Sequence, residues 1–370
     1  MIVRFLEYGY GYRILSFAKD KFVSDDLLAN NLEVLFFENN TAIILPDNIP
    51  LKLNERGLAN LSVCENYDVF EVSDNGSAYK YYSVESDDNV FLLSLKCNSN
   101  CIMCPVSEGV RKNGLISNVD SLIKIAGHIP INARHFTITG GEPFLVGEGI
   151  FEFFEYLKNK FVYTDFLLLT NGRVFCNPVY VNKLKNTLPV NTIIGIPLHG
   201  HNAELHDRIT QAKGSFQQTF IGLKNLLKLG FKVEFRIVVS KLNGGDMDKL
   251  ADLIVNEFPT VDTVKFMGLE MLGNAAKNCE DVWITYNDAF ACCESAVDKL
   301  VNHGIDVGLY NFPLCSVNRK YWGIYQKSIS DYKIKYPEKC EECRLKDACG
   351  GIFGGTIRLA KDDVVPILED

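Results

Sequence analysis

Three cysteines fall close together in the stretch LKCNSNCIMCP: Cys97, Cys101 and Cys104. A tetrahedral structural zinc takes four ligands. A disulfide pairs two cysteines, and an iron–sulfur cubane is normally held by four. Three thiolates in one loop therefore point to a metal site with one coordination place left open. An iron left open in this way could be chelated by a small molecule carrying both an amino and a carboxylate group. A second set follows near the other end of the chain, with Cys340, Cys343 and Cys349 spaced so that one loop can wrap three corners of a cubane, and Cys315 upstream. Four thiols suit a fully protein-ligated cluster or a four-cysteine zinc knuckle, and spacing alone does not separate the two.

Three further polar clusters accompany the first cysteines. Gly140-Gly141-Glu142-Pro143, Thr170-Asn171-Gly172 and Pro197 with His199 each follow an apolar run. Paired glycines let a backbone approach a ligand closely, and Glu142 could accept charge-assisted hydrogen bonds from a ligand amine. His199-Gly200-His201 invites a metal reading, but a polar loop lining a ligand pocket is the simpler one. Cys64, Cys176, Cys279, Cys292 and Cys293 read as small buried hydrophobes. Phe151, Phe153, Phe154 and Tyr156 read as core packing.

The elements that must position these groups show in the rhythm of the chain. Residues 1–85 carry short β-type runs broken by turn residues and predict a small β-rich domain. From residue 89, near-continuous apolar strands alternate with helical stretches six times, up to VDTVKFM. This predicts a parallel sheet with helices outside. Six units are fewer than the eight of a closed barrel, so the fold class is α/β, a partial (β/α)6 TIM-like barrel over 86–275. The rest, 276–370, predicts helices, a short strand IDVGLYN and a Cys- and Gly-rich extension. In such folds chemistry sits at the carboxyl ends of the strands, which is where all four polar clusters fall.

Composition narrows the classes. The chain has 370 residues, 47% hydrophobic and 23% charged, with a net charge of −8. Two or three domains are expected. No apolar run approaches the ~18 residues of a membrane span, and no basic block suits nucleic acid. The N-terminal stretch lacks the pattern of a signal peptide. The expectation is a cytoplasmic protein without membrane or nucleic-acid partners, whose twelve cysteines are not a disulfide framework.

Cys-x3-Cys-x2-Cys after the first strand, with Gly-Gly-Glu-Pro after the second, resembles the radical S-adenosylmethionine (SAM) enzymes. The resemblance implies a [4Fe–4S] cluster on Cys97, Cys101 and Cys104 whose open iron binds SAM, and release of a 5′-deoxyadenosyl radical. It implies that Gly140, Gly141 and Glu142 meet the methionyl amino group. It further implies that Met103 packs against the adenine and that Arg208 meets the SAM carboxylate, with Thr170, Asn171 and His199 expected to line the SAM pocket. The tail resembles the auxiliary-cluster extension called SPASM or twitch, implying an auxiliary [4Fe–4S] cluster on Cys315, Cys340, Cys343 and Cys349. The full SPASM pattern has a further cysteine where this chain has Phe353, so a second auxiliary cluster is not implied. The strings KFMGLEMLGNA, LYNFPLC and SISDYKIKY resemble the radical SAM maturases of His-Xaa-Ser repeat peptide systems. The implied partners are a precursor peptide, a second maturase or small partner protein, and an electron donor such as flavodoxin or ferredoxin. The implied function is modification of a ribosomally made peptide. The alternatives are a non-catalytic iron–sulfur peptide-binding partner of another maturase, and a radical SAM enzyme on a small metabolite. The N-terminal β-rich domain is read either as a platform to which a leader peptide adds a strand or as a structural lid.

Overall fold

The computed structural model describes residues 2–368. Two large sheets dominate it. The first holds seven strands in the spatial order Ile2–Arg4, Ser77–Tyr82, Val69–Val72, Arg13–Ala18, Val34–Glu38, Thr41–Leu45 and Ile49–Leu51. Only Arg13–Ala18 and Val34–Glu38 run parallel. Two helices that the β-type reading did not anticipate, Lys21–Ala29 and Glu55–Ser62, join this sheet. Each begins at a side-chain cap: Asp20 accepts from Val23 N at 2.9 Å and Asn54 from Gly57 N at 2.8 Å. Such caps satisfy backbone donors at a helix start.

The second sheet is parallel throughout and its spatial order is its sequence order: Val90–Ser94, His135–Gly140, Asp165–Leu169, Thr192–Pro197, Lys232–Val238, Thr263–Met267, Asp306–Tyr310 and Tyr325–Gln326. The first six are the expected strands. The expected short strand IDVGLYN joins them as a seventh, and a two-residue eighth extends the edge. The sheet curls without closing, a partial barrel. Helices Val119–His128, Gly149–Lys160, Pro178–Thr187, Ser215–Lys228, Met247–Glu257 and Tyr286–Asn302 follow the strands in turn. Their apolar faces cover the outer side of the sheet, where Ile194, Ile196, Phe235, Ile237, Val264 and Phe266 are buried. Phe151, Phe153 and Phe154 lie in the same core, with Tyr156 packed at its edge.

The two sheets are joined through the helix Val119–His128. Ser16 Oγ lies 2.9 Å from His128 Nδ1, and Ile14 and Val69 enter the barrel's hydrophobic core. The Cys-rich extension adds a small two-stranded ribbon, Ile334–Lys335 against Ile352–Phe353. Among the described residues, no helix is long and apolar enough to cross a membrane. None of the twelve cysteines forms a disulfide. Cys64 and Cys293 are buried, whereas Cys176, Cys279 and Cys292 are only half-buried.

Candidate active site

The loop after Val90–Ser94 is fixed by a network around its backbone rather than by local secondary structure. Asn100 N and Ile102 N donate to the carbonyls of Thr210 and Ile209, at 3.0 and 2.9 Å. Asn274 Nδ2 donates to Asn100 Oδ1 and to the Cys101 carbonyl, both at 3.1 Å, and Asn278 Nδ2 reaches the Ile102 carbonyl at 3.1 Å. Arg111 donates to the Ser99 carbonyl at 3.1 Å and to Asn100 Oδ1. From the loop after the third strand, Arg173 donates to the Asn98 carbonyl at 2.7 Å and to Ser99 Oγ at 3.1 Å. The loop thus hangs between elements separated by more than a hundred residues.

Within it, Cys97 Sγ accepts from Ser99 N and Cys104 Sγ from Val106 N, both at 3.4 Å. Burial raises the Cys97 thiol above its ordinary range, and burial with the neighbouring Cys104 and Cys97 pushes Cys101 up to about 12. Thiols held together in this way are stabilised as thiolates by a cationic centre. Amide donors aimed at two of the sulfurs suit that state. Among the described residues, no three His, Cys, Asp or Glu side chains converge on a point that would suit a single metal ion. A cubane makes a different demand, because each cysteine binds a different iron. The donor set fits a cluster with one iron lacking a protein ligand.

The three cysteines open onto a cavity of about 350 Å³, within the range of small-molecule sites. Met103, Gly140, Gly141, Thr170, Asn171 and His199 all line it. Two of the expected residues do not. Arg208 is exposed on the helix Ala203–Thr210 and is absent from the cavity wall. The cavity's basic groups are instead Arg111 and Arg236. Glu142 is 1% exposed and lies behind the wall. Its carboxylate accepts from Thr170 Oγ1 and Asn171 N, both at 2.8 Å, and from Phe144 N at 3.2 Å. Burial raises its pKa against these bonds. These bonds tie the second loop to the third.

The glycine pair makes a close approach within the protein as well. A Cβ on Gly140 would stand 2.3 Å from the Ser94 carbonyl oxygen, and one on Gly141 2.2 Å from that of Lys96. Gly141 N and Glu142 N donate to these same carbonyls, at 2.6 and 2.8 Å. The glycines thus also hold the end of the first strand and the start of the cysteine loop against the second strand.

His199 sits 4% exposed with its Nδ1 unpartnered. Burial and the adjacent His206 pull its pKa down to about 3, so the ring is neutral at physiological pH. An orphaned acceptor costs less than an orphaned N–H, which favours the tautomer carrying its proton on Nε2.

The four C-terminal cysteines meet at a second place. Cys315, Cys340, Cys343 and Cys349 line one small chamber whose other walls include Leu314, Ile352, Val364 and Ile367. Leu314 N and Gly351 N donate to Cys349 Sγ at 3.2 and 3.3 Å, and Ile367 N to Cys343 Sγ at 3.4 Å. Burial pushes Cys315 up to about 11 and raises Cys340. This donor set also fits a metal group, here one with no ligand place facing the large cavity.

Arg236 and Glu270 on the cavity wall, the place of Phe353 beside them, and the Asn274–Asn278 anchor of the cysteine loop escaped the sequence reading. Arg236 alone carried a signal, as an ionised residue inside the apolar run FKVEFRIVV.

Residues 91–254 match the family model described as the radical SAM superfamily, so this segment is a radical SAM domain. The chain is 32% identical over 213 residues to the mycofactocin maturase MftC of Mycobacterium ulcerans, a match covering 57% of this chain and 54% of that one. It is 27% identical over 201 residues to the antilisterial bacteriocin subtilosin biosynthesis protein AlbA of Bacillus subtilis, covering 52% and 44%. It is also 26% identical over 202 residues to the GTP 3′,8-cyclase of Microcystis aeruginosa, covering 51% and 58%. The chain spans about half the length of these curated relatives.

Proposed function

We propose that this chain is a radical SAM enzyme that modifies a ribosomally made peptide. The observation that carries the reading is the opening of three clustered thiols, Cys97, Cys101 and Cys104, onto a cavity lined from the carboxyl ends of successive parallel strands. These thiols would hold a [4Fe–4S] cluster with one open iron. When bound, that group supplies the electron that cleaves SAM and so releases a 5′-deoxyadenosyl radical.

The chain's own residues bind, orient and exclude water. Met103, 4% exposed and packed with Leu269 and Met271, offers a polarisable surface to a flat base. The backbone at Gly140–Gly141, fixed to Ser94 and Lys96, offers rigid polar groups to a ligand amine. Asn171, tied by its side chain to Asn98 at 2.6 Å, and neutral His199 add hydrogen-bonding groups. The apolar side chains among them keep water from a reactive radical. At the second chamber, Cys315, Cys340, Cys343 and Cys349 would hold an auxiliary [4Fe–4S] cluster. Full ligation by protein suits it to electron passage.

The peptide substrate is supported by the four-cysteine extension and by similarity to proteins named as a maturase and a bacteriocin biosynthesis protein. Similarity to a GTP cyclase keeps a small-metabolite substrate as the rival. Co-expression with a small peptide encoded beside the gene, followed by mass spectrometry, tests it. The expected result is a mass change in the peptide that a Cys97→Ala variant does not produce. An unmodified peptide, with 5′-deoxyadenosine still formed, would contradict the peptide reading and favour a metabolite.

A further inference from the structure

The barrel alone does not complete the cavity wall beyond its fifth and sixth strands. Phe353, from the tail ribbon, stands on that wall with Val238, Met267, Leu269 and Glu270. It is only 5% exposed. Several ties hold it there. Lys333 Nζ lies 3.2 Å from Glu270 Oε2 and 5.9 Å from the centre of the Phe353 ring. Met271 N donates to Thr356 Oγ1 at 3.2 Å, and Ile334 pairs with Phe353 in the ribbon.

The charges on this wall are already matched, and the cavity's other cation, Arg111, is bound to the cysteine loop through Ser99 and Asn100. Glu270 has Lys333, and Arg236 has Glu234, whose side chain is 7% exposed. What remains is an apolar surface of Val238, Met267, Leu269 and Phe353. An ionised side chain entering here would lose its water and meet no unmatched opposite charge, which is unfavourable. An uncharged apolar side chain gains from the same contact.

We infer that this wall recognises an uncharged, apolar side chain of the substrate. Phe353 is its specificity-determining residue, and the Lys333–Glu270 pair is the positioning contact that holds the tail against it. The inference rests on the cavity being the active site, and its test measures binding without turnover. A failure to modify peptide would therefore leave it standing.

The probes are N-acetyl-leucinamide, N-acetyl-phenylalaninamide, N-acetyl-lysinamide and N-acetyl-aspartamide. Their affinities for the reconstituted, SAM-loaded protein are measured by saturation-transfer NMR. The two apolar probes should bind about tenfold more tightly than the charged ones. Phe353→Ala should weaken the apolar probes about fivefold, while Phe353→Leu, which keeps the wall filled, should hold the leucine probe within about twofold of wild type. Lys333→Met leaves the Glu270 carboxylate without its cation, so the lysine probe should gain about fivefold. Adding Glu270→Gln should remove that gain. A merely structural pair would weaken every probe alike. Equal affinity for charged and apolar probes would overturn the inference. So would unchanged selectivity in both Phe353 variants, or a lysine probe indifferent to Lys333→Met.

Discussion

The two cysteine groups place the same kind of donor in opposite settings. Cys97, Cys101 and Cys104 lie on a loop suspended from distant elements, beside a cavity that accommodates a small molecule. Cys315, Cys340, Cys343 and Cys349 line one small chamber together with Leu314, Ile352, Val364 and Ile367. Both sets receive amide donors at sulfur and both have thiols raised by burial. What separates them is the fourth ligand. On the proposed function, a missing one beside a cavity would make a place where a ligand can be activated, and a present one beside apolar side chains a place that stores or relays charge. Reactivity on this account comes from ligand count and access, not from the thiols themselves.

Replacing both Cys340 and Cys343 by Ala tests that contrast most strongly. Iron should fall from about eight to about four per chain, with SAM cleavage kept in part and peptide turnover lost. About four irons and one tightly bound zinc in the wild type would instead make the tail a zinc knuckle. Gly141→Ala addresses the first site alone, because its Cβ meets the Lys96 carbonyl oxygen at 2.2 Å. The cysteine loop must then move, and stability should drop by on the order of 3 kcal/mol with poorer iron incorporation there. Unchanged iron and melting temperature would show that the loop does not need this clamp.

A smaller effect concerns the junction of the two sheets. Burial lowers the His128 pKa from 6.5 to about 4. The folded state keeps this ring neutral while the unfolded chain takes up a proton below about pH 6.5. Stability should therefore fall as pH drops through that value and go on falling to about pH 4. The loss is on the order of 2 kcal/mol by pH 5. His128→Asn should flatten this slope in denaturant titrations at pH 7 and pH 5, and an unaltered slope would remove His128 from the account. The smallest effect is expected at Arg208, exposed and away from the cavity wall. Arg208→Gln should bind SAM within about twofold of wild type, as surface substitutions usually leave little trace. A tenfold loss would return Arg208 to the site.

The strand–helix rhythm was legible because strands covered by helices become apolar runs, and NVFLLSLK, DFLLLT and FKVEFRIVV say so directly. The cysteines and the glycine pair were legible because loops at the carboxyl ends of such strands converge. Partner identity was not. Nothing local to Glu142 says that its carboxylate will be taken by Thr170 and Asn171. Nothing near Gly141 names Lys96 as the backbone it must pass. Arg208 was drawn toward the ligand by the resemblance of its sequence setting, yet its helix turns it to solvent. The tail's Phe353 reaches the cavity through a ribbon of two residues per strand, too short to leave a pattern. The helices of the N-terminal sheet begin at Asp20 and Asn54, single caps that are easily read as turns.

The most direct measurement is 5′-deoxyadenosine formation by anaerobically reconstituted, reduced protein supplied with SAM, beside a Cys97→Ala control. The account predicts nucleoside formed by the wild type and none above background in the variant. Equal background levels in both, with the cluster demonstrably in place in the wild type, would contradict it and leave this chain as an iron–sulfur binding partner rather than an enzyme.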